Sequence, residues 1–219
     1  METPKNPSEF VKRLPTLFLG YFLCSVGIVA NLYANLGTSP WTLFHAGLRN
    51  ITGITLGQIT QIVGLAIIMI SWKLGNAPGF GTIANMIFIG LFIDLIIYAD
   101  IIPFQTQLVW QIFQLILSII IIGIGALFYL RAQIGAGPRD GLMVVLTRIF
   151  DKPVSYIRIP MDVIVSITGF FLGGPLGLGT ILTALGLGYS MQFFFKIGKF
   201  NSKSKQLNLF ELYRTLNPK

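Results

Sequence analysis

Apolar residues in this chain form long runs separated by short polar or glycine-rich connections, and six of the runs approach bilayer length. A helix needs about 20 apolar residues to cross the hydrocarbon core. Residues 14–34 carry no charge, and residues 55–72 carry none either, although Gln58, Thr60 and Gln61 soften their start. Residues 80–98 carry only Asp94, and residues 106–130 none. Residues 154–172 hold Arg158 and Asp162 near their beginning, and residues 176–195 are clean. The pattern predicts six spans. Two shorter amphipathic pieces, 40–51 and 138–150, suit half-helices or interfacial helices, and periodicity alone does not separate those two readings.

Composition agrees: 53% of the residues are hydrophobic and 11% charged, against about 25% charged in a soluble domain. Mean hydropathy is +0.74. The first run, about 20 residues long, exceeds the ~7–15-residue core of a signal peptide, and more spans follow. The single Cys24 excludes an intrachain disulfide and a cysteine-based metal cluster.

The net charge of +8 is explained by topology. Lys5, Lys12 and Arg13 precede the first span, and Lys73 follows the second. Arg131, Arg139, Arg148, Lys152 and Arg158 lie between the fourth and fifth, and Lys196, Lys199, Lys203, Lys205, Arg214 and Lys219 follow the sixth. With six spans these clusters share one side, which predicts that both termini are cytoplasmic. Nucleic acid is not needed to account for the charge. The terminal stretch, with Leu207, Phe210 and Leu216 among polar residues, reads as a helix lying on the anionic inner leaflet.

Displaced by 98 residues, the chain matches itself without a gap. Gly27, Gly37, Gly75, Gly79, Gly81 and Gly90 fall on Gly125, Gly135, Gly173, Gly177, Gly179 and Gly188; Pro40 falls on Pro138, and GFGTI on GLGTI. Six of eleven glycines between Leu17 and Leu95 find a glycine partner, where composition alone predicts about one or two, so the match reads as a duplication. Three spans per copy reverse the second copy relative to the first. The expected fold is therefore an all-α membrane protein of six transmembrane helices and two short helices, built as two inverted three-span repeats, a common transporter plan. The expected units are an arm over 1–13, repeats over 14–100 and 106–198, and a basic tail over 199–219.

Ser39–Pro40 reads as N-cap and N1 of the first short helix, and Gly137–Pro138 as the same positions in its copy. Such ends present free N–H groups and the positive end of the helix dipole. If both face one cavity they favour an anionic group. Gly37, Thr38, Ser39, Pro40, Gly135, Gly137, Pro138, Arg139 and Asp140 are the expected substrate-binding residues, with Arg49 a weaker contributor. If instead the short pieces are interfacial, Trp41 fits an aromatic belt and Phe44, Leu48 and Ile51 face lipid. His45, the only histidine, is a proton-responsive candidate at the outer mouth. Asp94 and Asp162 are candidates for a coupling proton or Na⁺, because an ionisable group in a span is costly unless paired or wet. The GFGTI and GLGTI turns lack the following Gly-Lys-Ser/Thr of a phosphate loop. They read as close-packing turns in which threonine caps the next helix.

No enzyme motif is present, and no cofactor or metal is implied. The chain's own segments, NLGTSPWTLFHAGL with PGFGTIANMIFIGLFID, then GAGPRDGLM with GGPLGLGT, resemble the YczE group of the bacterial YczE/YyaS/YitT membrane proteins over most of residues 14–195. The resemblance implies a multi-pass protein of the bacterial inner membrane and transfers no substrate residue. Where many relatives have an acid after the Pro-Trp pair this chain has Thr42, while the second copy keeps Asp140. The expected partners are the lipid bilayer and a small anionic or zwitterionic solute, carried by a secondary transporter. A scaffold for another membrane protein, a homo-oligomer and a channel stay open at this level.

Overall fold

The computed structural model describes residues 3–4, 6–201 and 204–216; Lys5, Lys203 and Lys219, counted above among the flanking cations, lie outside the described residues. The described residues form nine helices and no strand. In order they are α1 (Pro7–Tyr33), α2 (Pro40–Thr52), α3 (Leu56–Lys73), α4 (Phe80–Tyr98), α5 (Leu108–Arg131), α6 (Pro138–Phe150), α7 (Val154–Phe171), α8 (Leu178–Ile197) and α9 (Leu209–Leu216). Six of them, α1, α3, α4, α5, α7 and α8, are long and apolar enough to cross a membrane.

The boundaries follow local chemistry. α1 begins upstream of its apolar run because Asn6 accepts from the Glu9 N–H at 2.8 Å and Pro7 suits the first turn. Residues 7–13 are therefore helical rather than a separate arm. Ser39 caps α2 by accepting from the Thr42 N–H, and α3 opens with a Thr55/Gln58 capping box. α6 carries Pro138 in its first turn but no side-chain cap, since Gly137 has no side chain to offer.

The 98-residue period is visible in the backbone. Left-handed φ values recur at Asn35 and Gln133, Gly37 and Gly135, Gly53 and Asp151, and Gly75 and Gly173. The copies also dock reciprocally. Gly81 donates its N–H to the Ile134 carbonyl and Gly179 to the Leu36 carbonyl, each at 2.7 Å. Thr82 and Thr180 accept from the Gly79 and Gly177 N–H groups at 3.1 and 3.3 Å. These are the two Gly-x-Gly-Thr turns, and their small residues allow each turn to seat on the other copy's loop. A Cβ on Gly81 would lie 2.8 Å from the Gly135 oxygen, and one on Gly179 2.7 Å from the Leu36 oxygen.

α1 and α5 form the central pair. They run antiparallel, since Arg13 near one end of α1 donates to the Ala132 carbonyl, while Gln105 before α5 donates to Tyr33 at the other end. Gly20, Gly27 and Gly125 bring their backbones together: a Cβ on Gly20 would stand 2.8 Å from the Gly125 oxygen. α4 packs on α1 and α8 on α5. The short helices cross over, α2 packing on α7 of the other copy and α6 on α3. α3 lies along α4, whereas α7 and α8 stand apart around a lateral apolar cleft of about 570 Å³.

The tail differs from the sequence expectation. Leu207 and Leu212 are buried against the protein, and Leu216 packs beside them, while Phe210 is exposed. Leu207 N–H donates to Gln133 O and Leu209 N–H to Pro78 O. Gln206 donates to Leu130 O at 3.0 Å and accepts from Gly135 N–H at 3.3 Å. The loop groups left open at that end of the bundle supply partners, so the segment docks on the protein rather than presenting its whole apolar face to a leaflet.

Candidate functional site

Both short helices start inside the bundle. Ser39 and Gly137, the residues preceding Pro40 and Pro138, line the same central cavity of about 190 Å³. Its walls come from Cys24 and Ile28 of α1, Thr60 and Gly64 of α3, Asn85 and Ile89 of α4, Ile122 of α5 and Leu187 of α8, positions well inside their helices. Several wall residues are repeat mates 98 apart: Cys24 and Ile122, Ser39 and Gly137, Thr42 and Asp140, Ile89 and Leu187. The cavity therefore straddles the relation between the two copies. Of the two readings of the short helices, the structure has the cavity-lining one.

Trp41 and Arg139, also mates, meet directly. The guanidinium carbon lies 4.7 Å from the Trp41 ring centre, a cation–π distance. Among the described residues Arg139 has no ion pair within 4.0 Å. Trp41 is buried and donates its indole N–H to Asp162 at 3.0 Å, so it is an internal strut and not part of an aromatic belt. Asp162 is also 3.6 Å from Arg158 one turn away, and it lines the lateral cleft rather than the central cavity.

His45 lies in the cavity wall, 3% exposed, rather than at a mouth. The Thr60 hydroxyl has one proton, and it donates to the Leu56 carbonyl at 2.9 Å. With that donation kept, the 3.0 Å contact between Thr60 Oγ1 and His45 Nδ1 assigns the ring proton to Nδ1. In that tautomer Nε2 is the acceptor of the neutral ring, and the atom is buried without a partner among the described residues.

Two hubs hold the short helices, and they too are mates. Asn31 in α1 accepts from Thr38 Oγ at 2.8 Å and from the Ser39 N–H at 3.1 Å, while its amide donates to Ser118 and Thr183 at 2.9 and 3.0 Å. Tyr129 in α5 donates its hydroxyl to Asp140 at 3.3 Å. Sequence reasoning singled out neither residue. The signal was a polar side chain at the same repeat position in two charge-free spans.

The remaining expected residues distribute as follows. Ser39, Gly137, Pro138, Arg139 and Asp140 line the central cavity. Thr38 is fully buried on Asn31. Pro40 faces the lateral cleft. Gly37 and Gly135 are hinge turns with φ of 98° and 133°, packed on Gly177 and on the Gly81–Thr82 backbone. Asp94 is not brought to the cavity: it accepts from the Thr55 hydroxyl and, at 2.8 Å, from the Gly57 N–H, clamping the start of α3 to α4. Arg49 is exposed in the last turn of α2.

The two ends of the bundle are unequal. At the end carrying Lys73, Arg131, Arg148 and Lys196, called here the basic end, a vestibule of about 680 Å³ shares Pro138, Asp140 and Met191 with the central cavity and is walled partly by the docked tail. At the opposite end α2 packs tightly, over residues 43–47, on Gly169 of α7 and on Gly174 just beyond it.

The fold and cavity define a multi-span helical membrane protein. The chain belongs to the family described as "Family of unknown function (DUF6198)", which matches residues 11–196. It is 34% identical over 187 residues to "Uncharacterized membrane protein YczE" of Bacillus subtilis (strain 168), covering 84% of this chain and 86% of the relative. It is 32% identical over 186 residues to an "Uncharacterized protein" of Haemophilus influenzae (85% and 84% covered). It is also similar to "Uncharacterized protein YyaS" of Bacillus subtilis, 23% identical over 167 residues, with 75% and 83% covered. These matches bear out the YczE/YyaS resemblance. No solved structure matches the chain.

Proposed function

We propose that the protein is a small secondary transporter or permease, not an enzyme, which moves a small anionic or zwitterionic solute through a site between two inverted repeats. The observation that carries this reading is the convergence of both short-helix starts, Arg139 and His45 on one cavity in the middle of the bundle. Helix N-termini inside a membrane protein favour anionic groups, and an arginine without an ion-pair partner adds charge and directed N–H donors. The unequal ends support gated access rather than a continuous pore. The basic end is cytoplasmic on this reading, by the excess of Lys and Arg there, and the membrane is the bacterial inner membrane. Access in the present conformation is from the cytoplasm.

The test is solute flux into liposomes holding folded, oriented protein, screened with and without a proton gradient. Saturable flux that Arg139→Gln abolishes is the expected result. No flux for any solute with folded protein overturns the proposal.

A further inference from the structure

The polar end of the central cavity has a definite charge and hydrogen-bond pattern. Arg139 offers a guanidinium already oriented by the Trp41 ring, 4.7 Å away. Directly beside it α6 starts without a side-chain N-cap, and its first turn carries Asp140, so the positive end of the helix and a carboxylate stand together there. α2 differs, because Ser39 caps it, Asn31 accepts from the Ser39 N–H and no acid lies in its first turn. The cation and the acid therefore both lie on the α6 side.

Two acceptors stand on the same wall. Asp140 accepts from the Tyr129 hydroxyl and from the Gly137 backbone, and a carboxylate has room for more. His45 Nε2 takes none and is buried. An unmet buried acceptor is costly, and His45 belongs to the cavity wall, so a ligand donor that reaches Nε2 satisfies it. A simple carboxylate brings no donor and leaves Asp140 facing its charge. An amine alone leaves Arg139 unmatched. An ammonium has several N–H donors and meets both acceptors, whereas a hydroxyl has one proton. Beyond the polar groups of Ser39, Thr42, Thr60, Asn85 and Tyr129, the wall carries an apolar face of Ile28, Val63, Ile67, Met86, Ile89 and Leu187. The volume of about 190 Å³ equals about six waters at their liquid share.

From this pattern we infer that the cavity takes a small zwitterion of the α-amino acid type, its carboxylate at Arg139 and the start of α6, its ammonium between Asp140 and His45 Nε2, and a short aliphatic side chain among the apolar residues. This assignment rests on the transport reading and narrows its solute class.

The test is equilibrium binding to the full chain in lipid nanodiscs by calorimetry. The probes are glycine, alanine, valine and leucine, together with isovalerate and isobutylamine, which are valine without its ammonium and without its carboxylate. At least one amino acid binds, and each truncated analogue of valine binds at least about tenfold more weakly than valine itself, since hydrogen bonds to charged groups are worth that much or more. His45→Leu narrows the gap between valine and isovalerate, while Arg139→Gln weakens both. Isovalerate binding as tightly as valine overturns the inference in favour of an anion site. Failure of all four amino acids to bind folded protein overturns it outright. Amino-acid binding without flux of any solute defeats the transport reading and leaves the site assigned; flux of another solute without amino-acid binding does the reverse.

Discussion

The two short helices occupy equivalent positions but pack differently on their partners. Where α2 meets α7, three glycines permit contact of backbones. A Cβ on Gly47 would lie 2.7 Å from the Gly169 oxygen, one on Gly169 would lie 2.7 Å from the Phe44 backbone, and one on Gly174 would strike the Leu43 carbonyl. Where α6 meets α3, the equivalent residues are Val145, Ser71 and Asn76. Their bulk keeps the backbones apart, and the joint is made by polar bridges, Asn76 Nδ2 to Gly141 O at 3.0 Å and Arg148 to the Leu74 and Gly75 carbonyls at 3.4 Å. One end is sealed by close packing and the other holds a vestibule. A duplicated backbone thus becomes closed or open according to the side chains at three positions.

The largest effect is expected at the hub that holds α2. Asn31→Ala removes four hydrogen bonds from a residue 1% exposed and leaves buried hydroxyls and an N–H without their partner, at a cost of ~3 kcal/mol or more. Its mate Tyr129→Phe gives up one bond, ~1 kcal/mol. Thermal unfolding in detergent ranks the two; equal losses would show that the hubs are not the source of the asymmetry.

Gly169→Leu comes next. Overpacking of this kind costs ~1–3 kcal/mol and pushes α2 off α7. The readout is Cys24, the sole cysteine, which lines the central cavity. In the native protein a small impermeant thiol reagent reaches Cys24 faster from the basic end. In the variant, labelling from the opposite end rises; unchanged sidedness would mean that this contact is not the seal.

Ser71→Ala is expected to change less. The Ser71 hydroxyl is buried without a partner, so its removal costs nothing or stabilises by up to ~1 kcal/mol. A marked loss of stability by the same thermal measurement contradicts this account of the α6–α3 joint.

The smallest effect concerns the tail at the open end. The hydrogen bond and charge of Lys205 hold the Glu211 carboxyl below its usual range. A depressed carboxyl contributes stability that is present above its unfolded pKa, near 4.5, and is lost as pH falls through the lowered folded value. Hydrogen exchange of the Leu207 and Leu209 amides should be slowed by this pair at neutral pH and quicken below that window, beyond the intrinsic pH dependence. Lys205→Ala should remove the extra quickening.

Much of this architecture was legible in local sequence. Apolar run length marked the spans, Ser39–Pro40 and Gly137–Pro138 marked the starts of α2 and α6, and the 98-residue offset marked the turns that dock reciprocally. The candidate site was legible in part: Ser39, Gly137, Pro138, Arg139, Asp140 and His45 share the cavity. Asp94 looked equivalent to them because a lone carboxylate in a span carries the same signal whether it faces a cavity or caps a neighbouring helix. Asn31 and Tyr129 were passed over because a neutral polar residue in an apolar run is weakly marked until its partner is known.

The sequence by itself determined the helices, their ends and the duplication, because span length, capping and the period are set by residues close along the chain or by a fixed offset. Only the tertiary structure decided that α2 crosses to α7 and α6 to α3, that Trp41 supports Arg139, that His45 is buried in the cavity wall beside Thr60, and that the tail docks at the open end. Those outcomes depend on contacts between residues far apart along the chain, or on which way a side chain points once its helix is packed. Hydropathy and spacing carry neither quantity.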